Sequence, residues 1–282
     1  MVAKAAAAAR KGRRFALLMA AHDSEYVLEK YGGYLNVFVA AFGDAGDGET
    51  WDMYRAVDGE LPGGAGDLDG YDGFVISGSP NEAYGDDEWI LRLCSLVRDL
   101  HARRKRVLGV CFGHQVICRA LGGRVARASG GWDIGIREVR AIADARLPRQ
   151  CRFLDALREL PPRANSAEIH QDEVWEVPAG AEVLASSEKT GVEMFRVGEH
   201  MLGIQGHPEY TNDILLSLVN RLLAAGSITV SFAEAVKRQL ESTGPDREFW
   251  LKLCKSFLKA DEASSIADDL YKKNMEAAVL DH

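Results

Sequence analysis

The sequence predicts an α/β fold with a mostly parallel, doubly wound sheet, a small antiparallel or mixed region, and C-terminal helices. Three observations predict it. Short, continuous apolar runs such as Phe15–Ala21 and Val107–Val110 have the length and character of strands buried on both faces. They alternate with longer stretches of helical periodicity, the order that yields parallel strands joined by crossover helices. The run Val107–Val110 also passes at once into a glycine-bounded turn and a further helical stretch.

Taken in order, Phe15–Ala21 reads as the first strand and Tyr34–Phe42 as a helix whose apolar face is too broad to be exposed. Trp51–Val57 reads as a second strand. Gly59–Gly70 holds five glycines and reads as a loop. Tyr71–Ile76 is a third strand and ends in Ser77-Gly78-Ser79-Pro80. Asp87–Arg104 has helical periodicity with acidic residues in its first turn. Val107–Val110 is the next strand, followed by a helix from about Gln115 to Leu121. Arg124–Ala128, Ile136–Ile142, Val183–Ser187, Val192–Val197 and Met201–Gln205 read as shorter, half-buried strands of an antiparallel or mixed region. Helices return at Asp213–Ala224, Phe232–Ser242 and Arg247–Lys259. Residues 1–13 are expected to form a disordered tail, 14–260 one domain with its C-terminal helices, and 261–282 a loosely attached tail. No internal repeat is present.

The 282 residues are 47% apolar, enough for one well-filled domain. The 34 basic and 42 acidic residues give a net charge of -8. A nucleic-acid partner would need a concentrated basic face, so that class is set aside. No run of about 18 apolar residues offers itself to a membrane. Five cysteines, an odd number without a Cys-x-x-Cys pair, argue against a disulfide framework and against a zinc site. The N-terminal basic residues mostly follow the alanines, the wrong order for a secretory signal. A cytosolic protein is expected, with no metal and no membrane partner.

The segment Gly109-Val110-Cys111-Phe112-Gly113-His114-Gln115 fits G-x-nucleophile-x-G, the strained strand-to-helix elbow, with cysteine as the nucleophile. Its glycines allow a sharp turn and a close approach of strand and helix. The thiol is thereby set at a helix N-terminus, where dipole and free N–H groups favour thiolate. The Phe112 N–H is placed to donate to a developing oxyanion. Alone, this turn is equally compatible with a structural cysteine packed among glycines.

A matching base decides between the two. Of seven histidines, His114 lies too near in sequence to face the thiol, and His170 and His207 remain as candidates. His207 lies in Gly206-His207-Pro208-Glu209-Tyr210, just beyond an apolar strand. Proline keeps the chain extended, so His207 and Glu209 point the same way. A glutamate two residues on accepts the second imidazole N–H, fixes the tautomer and stabilises imidazolium. By itself His-Pro-Glu would be an ordinary loop; paired with the elbow it makes a Cys-His-Glu set.

G-V-C-F-G-H-Q followed by G-H-P-E resembles the class I glutamine amidotransferases, including the glutaminase domains of GMP synthetase and carbamoyl phosphate synthetase. The likeness covers roughly Phe15 to Leu223 and implies flavodoxin-like layering. Further runs are similar to the plant γ-glutamyl peptidases: Tyr31–Phe38, Tyr71–Pro80, His170–Val174, Leu184–Glu188 and G-H-P-E-Y. That family is cytosolic, has no synthetase partner, and removes the γ-glutamyl residue from glutathione and its conjugates. The resemblance implies Cys111, His207 and Glu209 as the triad. It pairs the N–H of Ser79 with that of Phe112 in the oxyanion hole; amidotransferases usually carry Gly where Ser79 stands. Gly78, Gln115, His170, Gln171 and Asp172 match positions lining the γ-glutamyl site, and Gly130–Asp133 reads either as the leaving-group border or as a plain turn.

What this implies is a thiol hydrolase of glutathione metabolism, needing no cofactor, acting through a γ-glutamyl thioester on Cys111. Two other readings stay open. A glutaminase subunit runs the same steps with ammonia as leaving group, although the roughly 75 residues after His207 are too few for an ATP-using domain. A non-catalytic binding protein on the same fold is the other.

Overall fold

The computed structural model describes residues 12–44, 48–142 and 161–260. The tails expected at 1–13 and 261–282 fall outside them, Gly12 and Arg13 excepted. Along the chain, β1 (Arg14–Leu18) leads into α1 (Glu25–Tyr31) and α2 (Tyr34–Phe42). Next come β2 (Thr50–Tyr54), a 3₁₀ turn at Ala56–Asp58, α3 (Ala65–Asp69), β3 (Gly73–Ile76), α4 (Glu88–Ala102), β4 (Arg106–Val110) and α5 (Phe112–Ala120). The second half holds β5 (Arg124–Arg127), β6 (Asp133–Ala141), β7 (Arg163–His170), β8 (Asp172–Glu176), β9 (Ala181–Ser186), β10 (Met194–Val197) and β11 (Met201–Ile204). Helices α6 (Asn212–Ala224), α7 (Val230–Ser242) and α8 (Arg247–Leu258) follow.

Nine strands form one sheet in the order β2-β1-β3-β4-β11-β10-β9-β6-β7, and β5 pairs with β8 apart from it. Pairings from β2 to β11 are parallel; those from β11 on to β7 are antiparallel. The continuous apolar strands are explained by burial on both faces. Phe15 and Leu17 of β1 face a core shared with Phe38 of α2, Leu215 of α6 and Phe257 of α8. Ala16 and Leu18 face another, shared with Leu93 of α4 and Val116 of α5. The α/β, doubly wound class is therefore as expected from the sequence. Among the described residues, no helix is long and apolar enough to cross a membrane.

One topological feature positions everything that follows. β11 lies beside β4 in parallel register, with Ile204 opposite Val110. Chain segments roughly 90 residues apart in sequence thus leave the sheet side by side at the same edge, where open α/β sheets bind ligands.

Several elements depart from the sequence expectations. The Gly59–Gly70 stretch contains the five-residue helix α3. Helix α1 was not expected; it is started by Ser24, whose Oγ accepts from Val27 N, but buries only Val27, too little for a visible stripe. α5 begins at Phe112, not at Gln115, because Cys111 alone absorbs the turn. Strands β7 and β8 were missed. β7 turns Ser166, Glu168 and His170 inward, so polar residues stand where the period-two pattern calls for apolar ones.

Candidate active site

Cys111 is the single residue between β4 and α5. Its backbone lies at φ 51° and ψ -103°, a conformation costing on the order of 1–3 kcal/mol for a non-glycine residue. Close packing imposes it. A Cβ on Gly109 would stand 2.7 Å from His114 N, and one on Gly113 would stand 2.8 Å from Ile76 Cβ. Only glycine at both positions lets β3, β4 and α5 come together around the elbow. Cys111 N donates to Ile204 O at 2.8 Å, fastening the turn to β11.

His207 follows three residues after β11, its N–H donating to Ala167 O of β7 at 2.8 Å. Its Nδ1 lies 2.9 Å from Glu209 Oε1. All three side chains are buried, Cys111 at 5%, His207 at 3% and Glu209 at 1% exposure, so the pair acts in a low-dielectric setting. Gly78, in the turn after β3, covers both: a Cβ there would be 2.8 Å from His207 Cε1 and 3.6 Å from Cys111 Cβ. The Tyr210 ring stacks on the imidazole, centroids 4.0 Å apart and planes at 5°. Burial disfavours imidazolium, but the Glu209 carboxylate and the charged form of Cys111 outweigh it and push His207 up to about 10. With Nδ1 occupied by Glu209, Nε2 is the imidazole nitrogen left for another partner.

These groups open into a cavity of about 330 Å³. Gly78, Ser79, Gln115, His170, Gln171 and Asp172, the residues expected on the substrate side, all line it. The Phe112 ring does not; it is buried against Trp89, centroids 5.5 Å apart, in the opposite core. Its N–H lies in the first turn of α5, where no intrahelical acceptor exists. The Ser79 hydroxyl accepts from Asn81 N at 3.1 Å and from Asn81 Nδ2 at 3.0 Å.

The profile of the family described as Glutamine amidotransferase class-I matches residues 53–214, a span that includes both Cys111 and the His207–Glu209 pair. The chain belongs to the class I glutamine amidotransferase family. Within that family its resemblance to the γ-glutamyl peptidases is extensive. Gamma-glutamyl peptidase 5 of Arabidopsis thaliana is 48% identical over 247 residues, 88% of this chain and 96% of its own length. Gamma-glutamyl peptidase 3 of the same plant is also 48% identical, over 88% of this chain and 97% of its own. A solved glutamine amidotransferase from Thermotoga maritima superposes with a TM-score of 0.63 at 20% identity, covering 89% of this chain and all of its own. One from Methylobacillus Flagellatus gives 0.62 at 17% identity, over 88% and 94%. At such identities the likeness is one of fold.

In this member of the family, the floor of the cavity is a fixed polar lattice. Gln115 Nε2 donates to Asp172 O at 2.8 Å and to Gln205 Oε1 at 3.1 Å, while His170 Nδ1 lies 3.1 Å from the same Asp172 O. The Asp172 carboxylate is held by Arg127 at 3.1 Å and Tyr84 at 3.3 Å. Burial lowers His170 to about 4, so its imidazole is neutral near pH 7. His114 is lowered by burial to about 3 and packs on Phe195, away from the chemistry, as its position in the sequence implied.

The sequence reading missed several neighbours of the site. Tyr34, Phe38, Trp132, Tyr210, Leu218 and Arg221 all line the cavity. Phe38 lies four residues after Tyr34, and Arg221 three after Leu218, a helical spacing that marks shared faces but not which cavity they meet. Behind His170 a buried carboxyl group of three also went unread. Asp133 Oδ1 accepts from Arg137 Nε at 2.6 Å, and Glu168 Oε2 lies 3.6 Å from His170 Nε2. Burial pushes Glu193 up to about 8, so it holds a proton at neutral pH, and raises Glu168 well above the ordinary carboxylate range.

Proposed function

We propose that this protein is a cysteine-dependent hydrolase that cleaves the γ-glutamyl bond of glutathione or glutathione conjugates and releases glutamate. The observation that carries this is the placement of Cys111, at a strained strand-to-helix elbow, beside the buried His207–Glu209 pair at the floor of a cavity. The two γ-glutamyl peptidases aligned over nearly their whole length support the choice of substrate.

The steps balance without cofactor or metal. The Cys111 thiolate attacks the γ-carbonyl, and the N–H groups of Ser79 and Phe112 hold the resulting oxyanion. As the C–N bond breaks, His207 imidazolium gives its Nε2 proton to the leaving amine, leaving a γ-glutamyl thioester. Neutral His207 then takes a proton from water, whose oxygen attacks the thioester and returns the thiolate as glutamate departs. Glu209 keeps Nδ1 protonated throughout and offsets the imidazolium charge. No partner subunit is required by this scheme, and the expected setting is the cytosol.

A glutaminase of an amidotransferase would use the same groups, and the family assignment itself favours keeping it as the second reading. Purified protein incubated in parallel with glutathione, an S-conjugate and glutamine separates the two by the glutamate released. Glutamine preferred by tenfold in kcat/KM, about 1.4 kcal/mol at the transition state, establishes the glutaminase instead. Inertness toward all three leaves a binding protein.

A further inference from the structure

Part of the cavity wall has no place in the chemistry above. Helix α2 contributes Tyr34 and Phe38, helix α6 contributes Leu218, Arg221 and Leu222, and Trp132 stands before β6. Asp213 helps to fasten this wall: it accepts from Tyr26 and Tyr31 at 2.7 Å each and from Lys30 at 2.8 Å, tying α1 to the first turn of α6. Among the described residues that line the cavity, Arg221 is the only lysine or arginine. Arg127 nearby is occupied, by Asp172 at 3.1 Å and Glu82 at 2.7 Å. Arg221 makes no side-chain hydrogen bond or ion pair among the described residues.

Its direction from the reacting atoms can be traced. Tyr210 stacks on His207, Tyr34 lies 6.4 Å from Tyr210, and the charge of Arg221 reaches the Tyr34 phenol. His207 must face the leaving nitrogen to protonate it, so the leaving group extends along this row toward Arg221. There it meets one unpaired cation beside an apolar wall.

We propose that Arg221 is the specificity-determining residue for the leaving group. Its guanidinium takes the terminal carboxylate of the departing dipeptide, and Phe38, Leu218, Leu222 and Trp132 cover an apolar substituent on that dipeptide's sulfur. The proposal rests on the γ-glutamyl hydrolysis stated above and narrows it to S-substituted γ-glutamyl dipeptides with a free carboxylate. Ammonia leaving from glutamine has neither feature to offer.

The test uses S-hexylglutathione, the same compound with its terminal carboxylate amidated, unsubstituted glutathione, and γ-glutamyl-4-nitroanilide, which reports on the γ-glutamyl half alone. Wild type should favour the acid over the amide by roughly tenfold or more in kcat/KM, the scale of one charge-assisted contact. Arg221→Ala should bring that ratio near one, mainly through KM, and Arg221→Lys should restore part of it. S-hexylglutathione should also show a lower KM than glutathione. Equal handling of acid and amide by wild type, or a ratio unmoved in Arg221→Ala, overturns the role of Arg221. Equal KM values with and without the hexyl group overturn the apolar half. Wild type that leaves even the anilide uncut overturns the γ-glutamyl reading, and this inference with it.

Discussion

Gly78 and His207 are packed so closely that a single methyl group on Gly78 would stand 2.8 Å from Cε1 of the imidazole. The ring has no room to retreat, because Tyr210 stacks on it at 4.0 Å and Glu209 holds Nδ1 at 2.9 Å. Gly78→Ala is therefore expected to keep the fold, lose about 1–3 kcal/mol of stability as an overpacked site does, and lose roughly 100-fold or more in kcat/KM. Turnover assays beside thermal melts check this. Wild-type turnover would show that the imidazole is not confined by the Gly78 turn.

Cys111→Ser is expected to retain the fold and lose nearly all turnover. A hydroxyl is far harder to ionise than a thiol, and His207 is poorly matched to activate it. Wild type quenched early should carry a γ-glutamyl adduct on the peptide containing Cys111, read by mass spectrometry. An active serine variant, or an adduct on another residue, removes Cys111 from its role.

Glu209→Gln is expected to fall between wild type and His207→Ala. Glu209 is among the groups holding His207 at about 10, and an amide accepts the hydrogen bond without supplying charge. His207 then gives up its proton at lower pH, so the alkaline limb of the kcat/KM profile moves toward neutrality. The analogous change in a serine triad costs roughly 10⁴; a smaller loss is expected where the nucleophile is a thiol. An unmoved pH profile would make Glu209 a bystander.

Much of this site could be read before any coordinates. The Gly109–Gly113 spacing demands close approach, and the structure puts those glycines against Ile76 and each other. His-Pro-Glu forces two polar side chains to one side, and their 2.9 Å contact follows. What stayed hidden is cross-chain. β7 is invisible to a hydrophobic pattern because its inward residues, Glu168 and His170, are polar and become buried only in the tertiary fold. Arg221 looks like any exposed helical arginine, since nothing local says that α6 borders the cavity.

Glu193→Gln is expected to flatten the pH dependence of stability. Burial raises the Glu193 carboxyl in the folded state to about 8, against an ordinary value of 4.5. The folded chain therefore holds a proton that the unfolded chain releases, and stability falls as pH rises from about 4.5 toward 8. A neutral amide removes that penalty. Melting temperatures of variant and wild type should diverge in favour of the variant across this window, and parallel curves would refute it.

The pairing of β4 with β11 also constrains how the molecule reaches its working state. Cys111 is tied by its N–H to Ile204, and Tyr26 meets Asp213 across 187 residues of sequence. Contacts of such separation close long loops and form slowly. During synthesis the thiol elbow emerges long before the strand that flanks it, so β4 waits as an unprotected parallel edge. The elbow around Cys111 is therefore complete only once the C-terminal third, which carries β11 and His207, has been made.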